Sequence, residues 1–194
     1  TGGTGGDAAV RLWEVLTSAM HELGRHNYHL ESVAFSPSGT LLASGDNGDV
    51  VRVWSVEDGR LVATFTGDVP GRLQSFTDLY WPDDQTLMAG GAYAVYAWDM
   101  TTTQLVRRVP APEGVQFLVG TAFAPGGQRI AAVAQDNRLY LWDGQWTAWE
   151  VPEAGAVLAS VAFSPDARLV VAETHTGAFY VWDVASGALL ATRQ

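Results

Sequence analysis

Short apolar runs alternate with polar residues along most of the chain, and turn residues break them roughly every 8–12 positions. Ser32-Val33-Ala34-Phe35 alternates, and Pro37-Ser38-Gly39 turns. Leu41-Leu42-Ala43-Ser44 predicts a second strand, and Asp46-Asn47-Gly48-Asp49 a second turn. Val50 to Val56 predicts a third strand, carrying Trp54, and Glu57-Asp58-Gly59 turns again. Leu61-Val62-Ala63-Thr64-Phe65 predicts a fourth. The period of two predicts a meander of hairpins, and no long helical period competes with it.

The same block recurs. Five tryptophans share one context: Leu12-Trp13-Glu14, Val53-Trp54-Ser55, Ala97-Trp98-Asp99, Leu141-Trp142-Asp143 and Val181-Trp182-Asp183. Their spacings are 41, 44, 44 and 40 residues. A second signal runs in phase. Phe35-Ser36-Pro37, Tyr80-Trp81-Pro82, Phe123-Ala124-Pro125 and Phe163-Ser164-Pro165 place a proline 17 residues before the tryptophan, or 16 for Pro82. Four strands in a repeat of about 40–45 residues predict propeller blades. The expected fold is therefore all-β, a β-propeller of four-stranded antiparallel blades within a single region, 1–194. A half blade falls at 1–24, and complete blades at about 31–66, 73–109, 117–151 and 158–193.

Phe-Ser-Pro-x-Gly, then Leu-Ala-Ser-Gly, a turn and Val-Arg-Val-Trp resembles the WD40 repeat. The resemblance implies that Trp13, Trp54, Trp98, Trp142 and Trp182 are structural, each buried against a neighbouring blade. It also implies a hydrogen-bonded tetrad of His, Ser or Thr, Asp and Trp in each blade. Most blades lack its members. Gly24-Arg25-His26 resembles the family's Gly-His with one residue inserted, and Ser44 and Trp54 fit part of the set, with Asp46 or Asp49 as the acid. Asp136 fits the acid's slot in a later blade, and Thr176 replaces it in the last. Blades held mainly by packing are expected.

Charge narrows the partners. The formal net charge is −10, and arginine supplies all 11 basic residues. An acidic, lysine-free chain is poorly suited to phosphate backbones or anionic membranes. Cysteine is absent, which excludes disulfides and thiolate metal sites. The Ala, Gly and Val bias, with a single isoleucine at Ile130, points to a GC-rich bacterial source. A cytoplasmic location is favoured. Without an initiator Met, the natural start is expected elsewhere.

Candidate chemistry is sparse. His21-Glu22-Leu23-Gly24-Arg25-His26 resembles a zinc-protease motif, but its histidines are five apart instead of four, and Gly24 disfavours a helix. His21, His26 and His29 offer at most adventitious metal binding. Asp46-Asn47-Gly48-Asp49 resembles the start of a calcium loop or an Asp box, and reads better as a tight turn. Gly2-Gly3-Thr4-Gly5-Gly6 precedes no helix, so no phosphate cradle is expected. No catalytic residue, metal or cofactor is assigned. Trp81, Trp146 and Trp149 lie off the repeat and are candidate partner-binding residues, with edge covering as the alternative. Arg25, Arg72, Arg107, Arg108 and Arg129 read as solvated charges.

The reading is a non-catalytic protein–protein scaffold or sensor module of a larger bacterial protein. Two alternatives stand beside it. One is a self-assembling arc, two copies closing one ring as a homodimer through open blade faces. The other is a propeller hydrolase with a loop-borne active site. An open arc exposes an apolar face at each end, so a fragment of a larger propeller, a small closed ring and a two-copy ring are the possible forms.

Overall fold

The computed structural model describes residues 8–69, 74–152 and 155–193. Among them there are strands and turns and no helix. No helix is therefore long and apolar enough to cross a membrane. The glycine-rich stretch at 2–6 and Arg72 lie outside the described residues.

Strands β1 (Ala9–Trp13) and β2 (Met20–Arg25) form a two-stranded sheet. The next sheet holds β3 (Leu30–Phe35), β4 (Leu41–Asp46), β5 (Val50–Ser55) and β6 (Leu61–Thr66). The third holds β7 (Asp78–Tyr80), β8 (Thr86–Gly90), β9 (Ala94–Asp99) and β10 (Leu105–Pro110). The fourth holds β11 (Leu118–Phe123), β12 (Ile130–Ala134), β13 (Leu139–Trp142) and β14 (Trp146–Trp149). The fifth holds β15 (Leu158–Phe163), β16 (Leu169–Thr174), β17 (Phe179–Asp183) and β18 (Leu189–Arg193). Every sheet is a meander whose neighbours follow chain order, because each connection is a short turn.

The chain divides into two compact units. One holds β1 to β8 with Val95–Arg108. Its core is aromatic: Phe65 stacks on Trp98 at 4.8 Å, and Phe76 meets Tyr96 edge-on at 5.8 Å. The Tyr96 hydroxyl donates to Asp68 at 2.8 Å, and Arg108 pairs with the same carboxylate at 2.8 Å. Burial, with Asp68 accepting its proton, pushes the Tyr96 phenol up to about 12. The other unit holds β11 to β18, Ala92–Ala94 and the residues from Val109 onward. Leu139, Leu158, Val170, Tyr180 and Trp182 form its core.

Register explains the burial pattern. Residues paired across a sheet share a face, and alternate residues point to opposite faces. In the second sheet Leu42 pairs with Trp54 and Ser44 with Arg52. The corresponding pairs are Leu87 with Trp98, Ile130 with Trp142 and Val170 with Trp182. The strand carrying each tryptophan therefore holds the same place in every complete sheet.

Candidate interaction site

Sheet β1–β2 is fastened to β5 by one close contact. The Trp54 ring lies on the Cα of Gly24, where an added Cβ would stand 2.4 Å from Cη2. Any side chain at Gly24 would drive the indole away. Val10 and Leu42 complete this cluster, with Leu23, Leu30 and Val56 around it.

A buried polar chain runs through the same contact. Trp54 Nε1 donates to Ser44 Oγ at 2.8 Å. His26 Nε2 meets that hydroxyl at 2.8 Å, and its Nδ1 lies 3.0 Å from Asp46 Oδ2. The other Asp46 oxygen accepts the Gly48 and Val50 N–H groups, both at 3.0 Å. Burial opposes ionisation of Asp46. The hydrogen bonds from His26, Val50 and Gly48 outweigh it and hold the carboxyl below its ordinary value. The sequence placed part of this tetrad; the structure completes it, with Asp46 and not Asp49 as the acid. Asp49 instead accepts the Gly67 N–H at 2.9 Å, and burial pushes its carboxyl up.

The histidine cluster does not form a ligand set. His26 is committed to the tetrad, while His21 and His29 are exposed. Among the described residues no three His, Asp or Glu side chains are placed to hold a metal. The zinc-protease resemblance falls on strand β2, where the helical face it requires does not exist.

Beside Trp54 the surface is open and apolar. Trp13 is 51% exposed, Phe35 53% and Val33 45%. Trp13 is thus not buried like Trp54, Trp98 and Trp182; it lines an open groove with Val33 and Phe35 of the second sheet. Leu12, Trp13, Leu23 and Phe35 line a groove of about 630 Å³, rimmed by carboxylates. A smaller one of about 180 Å³ continues it past Val33 and Leu42. Glu22 pairs with Arg25 at 2.9 Å and Arg11 at 3.4 Å, and Asp58 with Arg60 at 3.6 Å. Glu14 accepts the Thr17 hydroxyl. Neither Glu14 nor Glu57 takes part in those pairs.

The three tryptophans off the repeat sit elsewhere. Trp81 is 5% exposed, and its Nε1 donates to the Ala34 carbonyl at 3.2 Å. Trp146 Nε1 donates to the Pro110 carbonyl at 2.8 Å, and its ring meets Trp142 edge-on at 5.3 Å. Trp149 stacks on Trp182 at 6.4 Å. Trp81 has no face left for a partner, and Trp146 and Trp149 keep only part of theirs; all three cover neighbouring strands. Trp142, half-buried, has an Nε1 with no protein partner. Asp136 accepts the Tyr140 hydroxyl at 2.5 Å, and Thr174 and Thr176 share a hydrogen bond at 2.9 Å. Sequence reasoning overlooked Phe35. It was visible as the aromatic of the aromatic-x-Pro signal, in the one repeat preceded by a half blade.

Four-stranded meanders repeated with this register, one of them closed by a His–Ser–Asp–Trp tetrad, resemble blades of a WD40-like β-propeller. Residues 18–55 match the family described as WD domain, G-beta repeat. A chromatin assembly factor 1 component of Gallus gallus is 27% identical over 168 residues, 73% of this chain and 29% of the relative. Apoptotic protease-activating factor 1 of Rattus norvegicus is 34% identical over 113 residues, 51% of this chain and 8% of the relative. Cross-pathway control WD-repeat protein 2 of Flammulina velutipes is 28% identical over 148 residues, 71% of this chain and 45% of the relative. The chain spans less than half the length of each. A chain of the mitotic checkpoint complex crystal structure superposes with a TM-score of 0.77 at 18% identity, covering 96% of this chain and 58% of that one. These relatives are eukaryotic.

Proposed function

We propose that this chain is a non-catalytic protein–protein interaction scaffold or sensor module, a single WD40-repeat region over 1–194 that works within a larger protein. The observation that carries the reading is the apolar surface of Trp13, Val33 and Phe35 beside a groove, on blades fixed by packing and a buried tetrad. Exposed apolar patches with polar rims mark interaction sites. The named relatives support it: one is a subunit of a chromatin assembly factor and another a protease-activating factor. The net charge of −10 favours a protein partner over nucleic acid or an anionic membrane. The composition favours a bacterial source. The hydrolase alternative needs carboxylates and histidines converging on one mouth. Here His26 is spent on the tetrad, and Asp58 and Glu22 are tied to arginines.

A second reading, self-association through blade faces, is favoured by Phe179, 41% exposed on the last sheet. One experiment separates them. A photo-crosslinking amino acid is placed at position 35 or 179 of the chain, and adducts from source-cell extract are identified by mass spectrometry. A reproducible adduct with one foreign protein is expected. Adducts of the chain with itself alone would establish self-association instead, and no adduct at either position would overturn both.

A further inference from the structure

We propose that Asp49 and Gln74 form a proton-operated latch. A protonated Asp49 pairs with the Gln74 amide and fastens the segment Gln74–Phe76 to the turn after β4.

All residues of this site belong to one compact unit. Gln74 is fully buried, and neither its Oε1 nor its Nε2 has a hydrogen-bond partner. A buried amide left so is costly, because donor and acceptor both go unmet. Both atoms are sealed from solvent, so what satisfies them must come from the protein. Gly67 shows what lies beside them. A Cβ there would stand 2.2 Å from Gln74 Cγ, 2.8 Å from its Cδ and 2.5 Å from Asp49 Oδ1. Amide and carboxyl are thus neighbours over a glycine that leaves room for both. Their terminal torsions are soft, so the two planar ends can turn face to face.

Chemistry decides the form of the pair. An ionised carboxylate only accepts. It could accept from Nε2, and it would leave Oε1 facing negative charge. The unpartnered Oδ1 of Asn47 has the same shortcoming, since it could serve Nε2 alone. A protonated carboxyl donates its O–H to Oε1 while its other oxygen accepts from Nε2, so both Gln74 atoms are satisfied at once. That other oxygen is Oδ1, which keeps the Gly67 N–H at 2.9 Å.

The surroundings favour taking this proton from solvent. Burial pushes the Asp49 carboxyl up, and the charges of Asp46 and Asp68 add to the effect against the Gly67 N–H. His26 is engaged with Asp46, and Tyr96 and Arg108 with Asp68. The pair closes a strained joint. The Gln74 N–H donates to the Gly48 carbonyl at 2.8 Å and the Phe76 N–H to that of Asp46 at 2.9 Å. Between them Ser75 is held at φ +49°, a left-handed conformation that a side chain disfavours. The folded value of Asp49 lies above its unfolded 3.8, so its contribution is complete below 3.8 and is lost as pH rises through the folded value. Asp46 acts below 3.8, so the two windows are separable.

The test is an NMR titration of the full, isotope-labelled chain from acid to mildly alkaline pH. The Asp49 carboxyl carbon should titrate above 3.8. Protection of the Gln74 side-chain amide from exchange, relative to the unfolded rate at the same pH, should fall at least tenfold as pH rises across the same midpoint. Asp49→Asn donates to Oε1 and accepts from Nε2 at every pH. In that variant Gln74 should stay protected, and urea stability should no longer fall across that midpoint. Titration of Asp49 with no change at Gln74, a midpoint at or below 3.8, or an Asp49→Asn variant that keeps the pH dependence overturns the proposal. A midpoint that shifts with millimolar calcium chloride also overturns it and gives the two groups to a cation. The titration of the unsubstituted chain decides the matter alone if Asp49→Asn does not fold.

Discussion

The second and fourth sheets share a register and close their tryptophans differently. In the second, Trp54 Nε1 donates to Ser44, and His26 and Asp46 extend the chain into the following turn. In the fourth, Ala132 holds the place of Ser44, since it pairs with Tyr140 two residues before Trp142. The indole N–H of Trp142 has no protein acceptor, and Trp146 packs edge-on against its ring. Buried polar groups cost free energy unless they are hydrogen-bonded. The tetrad is thus one of two solutions to the same packing problem. It is also the fragile one, because each member depends on the next.

Breaking the tetrad should produce the largest effect. Asp46→Ala would leave the buried His26 Nδ1 and the Gly48 and Val50 N–H groups without their acceptor. A loss of about 3 kcal/mol is expected, as for removing one partner of a buried pair. Urea denaturation checks it, and a loss below about 1 kcal/mol would show that the tetrad does not hold this sheet. Acid should act in the same direction. The Asp46 carboxyl lies below its unfolded value of 3.8, so the stability it contributes is present above that pH. It is lost as pH falls below 3.8 and through the folded value, when the unfolded chain takes up the proton first. Asp46→Asn should flatten that part of the stability curve.

The comparison also shows how far residues speak for themselves. Strand order and register were legible because tryptophan and proline run in phase. The tetrad's absence elsewhere was legible too, since Ala89, Ala132 and Ala172 stand where Ser44 stands. Its completeness in one blade was not. The family spacing puts His directly after Gly, and here Arg25 intervenes; the bulge between Val10 and Arg11 in the β1–β2 pairing accompanies that insertion. Trp81, Trp146 and Trp149 looked like loop aromatics because sequence distance hides their neighbours. Ala34 lies far from Trp81 along the chain, yet its carbonyl accepts the indole proton. An apolar face at this end was expected from the half blade; that Val33 and Phe35 line it was not legible, because exposure depends on neighbouring strands and not on residue type.

Transplanting one member should sharpen the contrast at smaller cost. Ala132→Ser places a hydroxyl where Ser44 receives the Trp54 proton, now within reach of Trp142 Nε1. Satisfying that donor should stabilise the protein by about 1 kcal/mol, the net worth of one hydrogen bond. A higher urea midpoint with unchanged slope is the expected result. An unchanged or lower midpoint would mean that aromatic packing already satisfies the site, and that the two sheets differ in chemistry but not in energy.

The smallest effect lies in the turns that follow the proline signal. Three of them are closed by the same hydrogen bond, from Gly39 to Ser36, from Gly127 to Ala124 and from Ala167 to Ser164, each at 2.8 Å. The donor sits at φ +73° in Gly39, +70° in Gly127 and +54° in Ala167. A Cβ at positive φ crowds the following carbonyl and costs roughly 1–2 kcal/mol. Glycine avoids that clash, but its unfolded chain is freer by roughly 0.5–1 kcal/mol. The difference favours glycine, so Ala167→Gly should stabilise the protein by about 0.5 kcal/mol. The reverse change, Gly39→Ala, should destabilise it by a similar amount, since nothing lies within 4 Å of the added methyl group. Thermal midpoints of the two variants should therefore move in opposite directions by similar amounts. Movement in the same direction would mean that the turns are held by contacts beyond this shared backbone geometry.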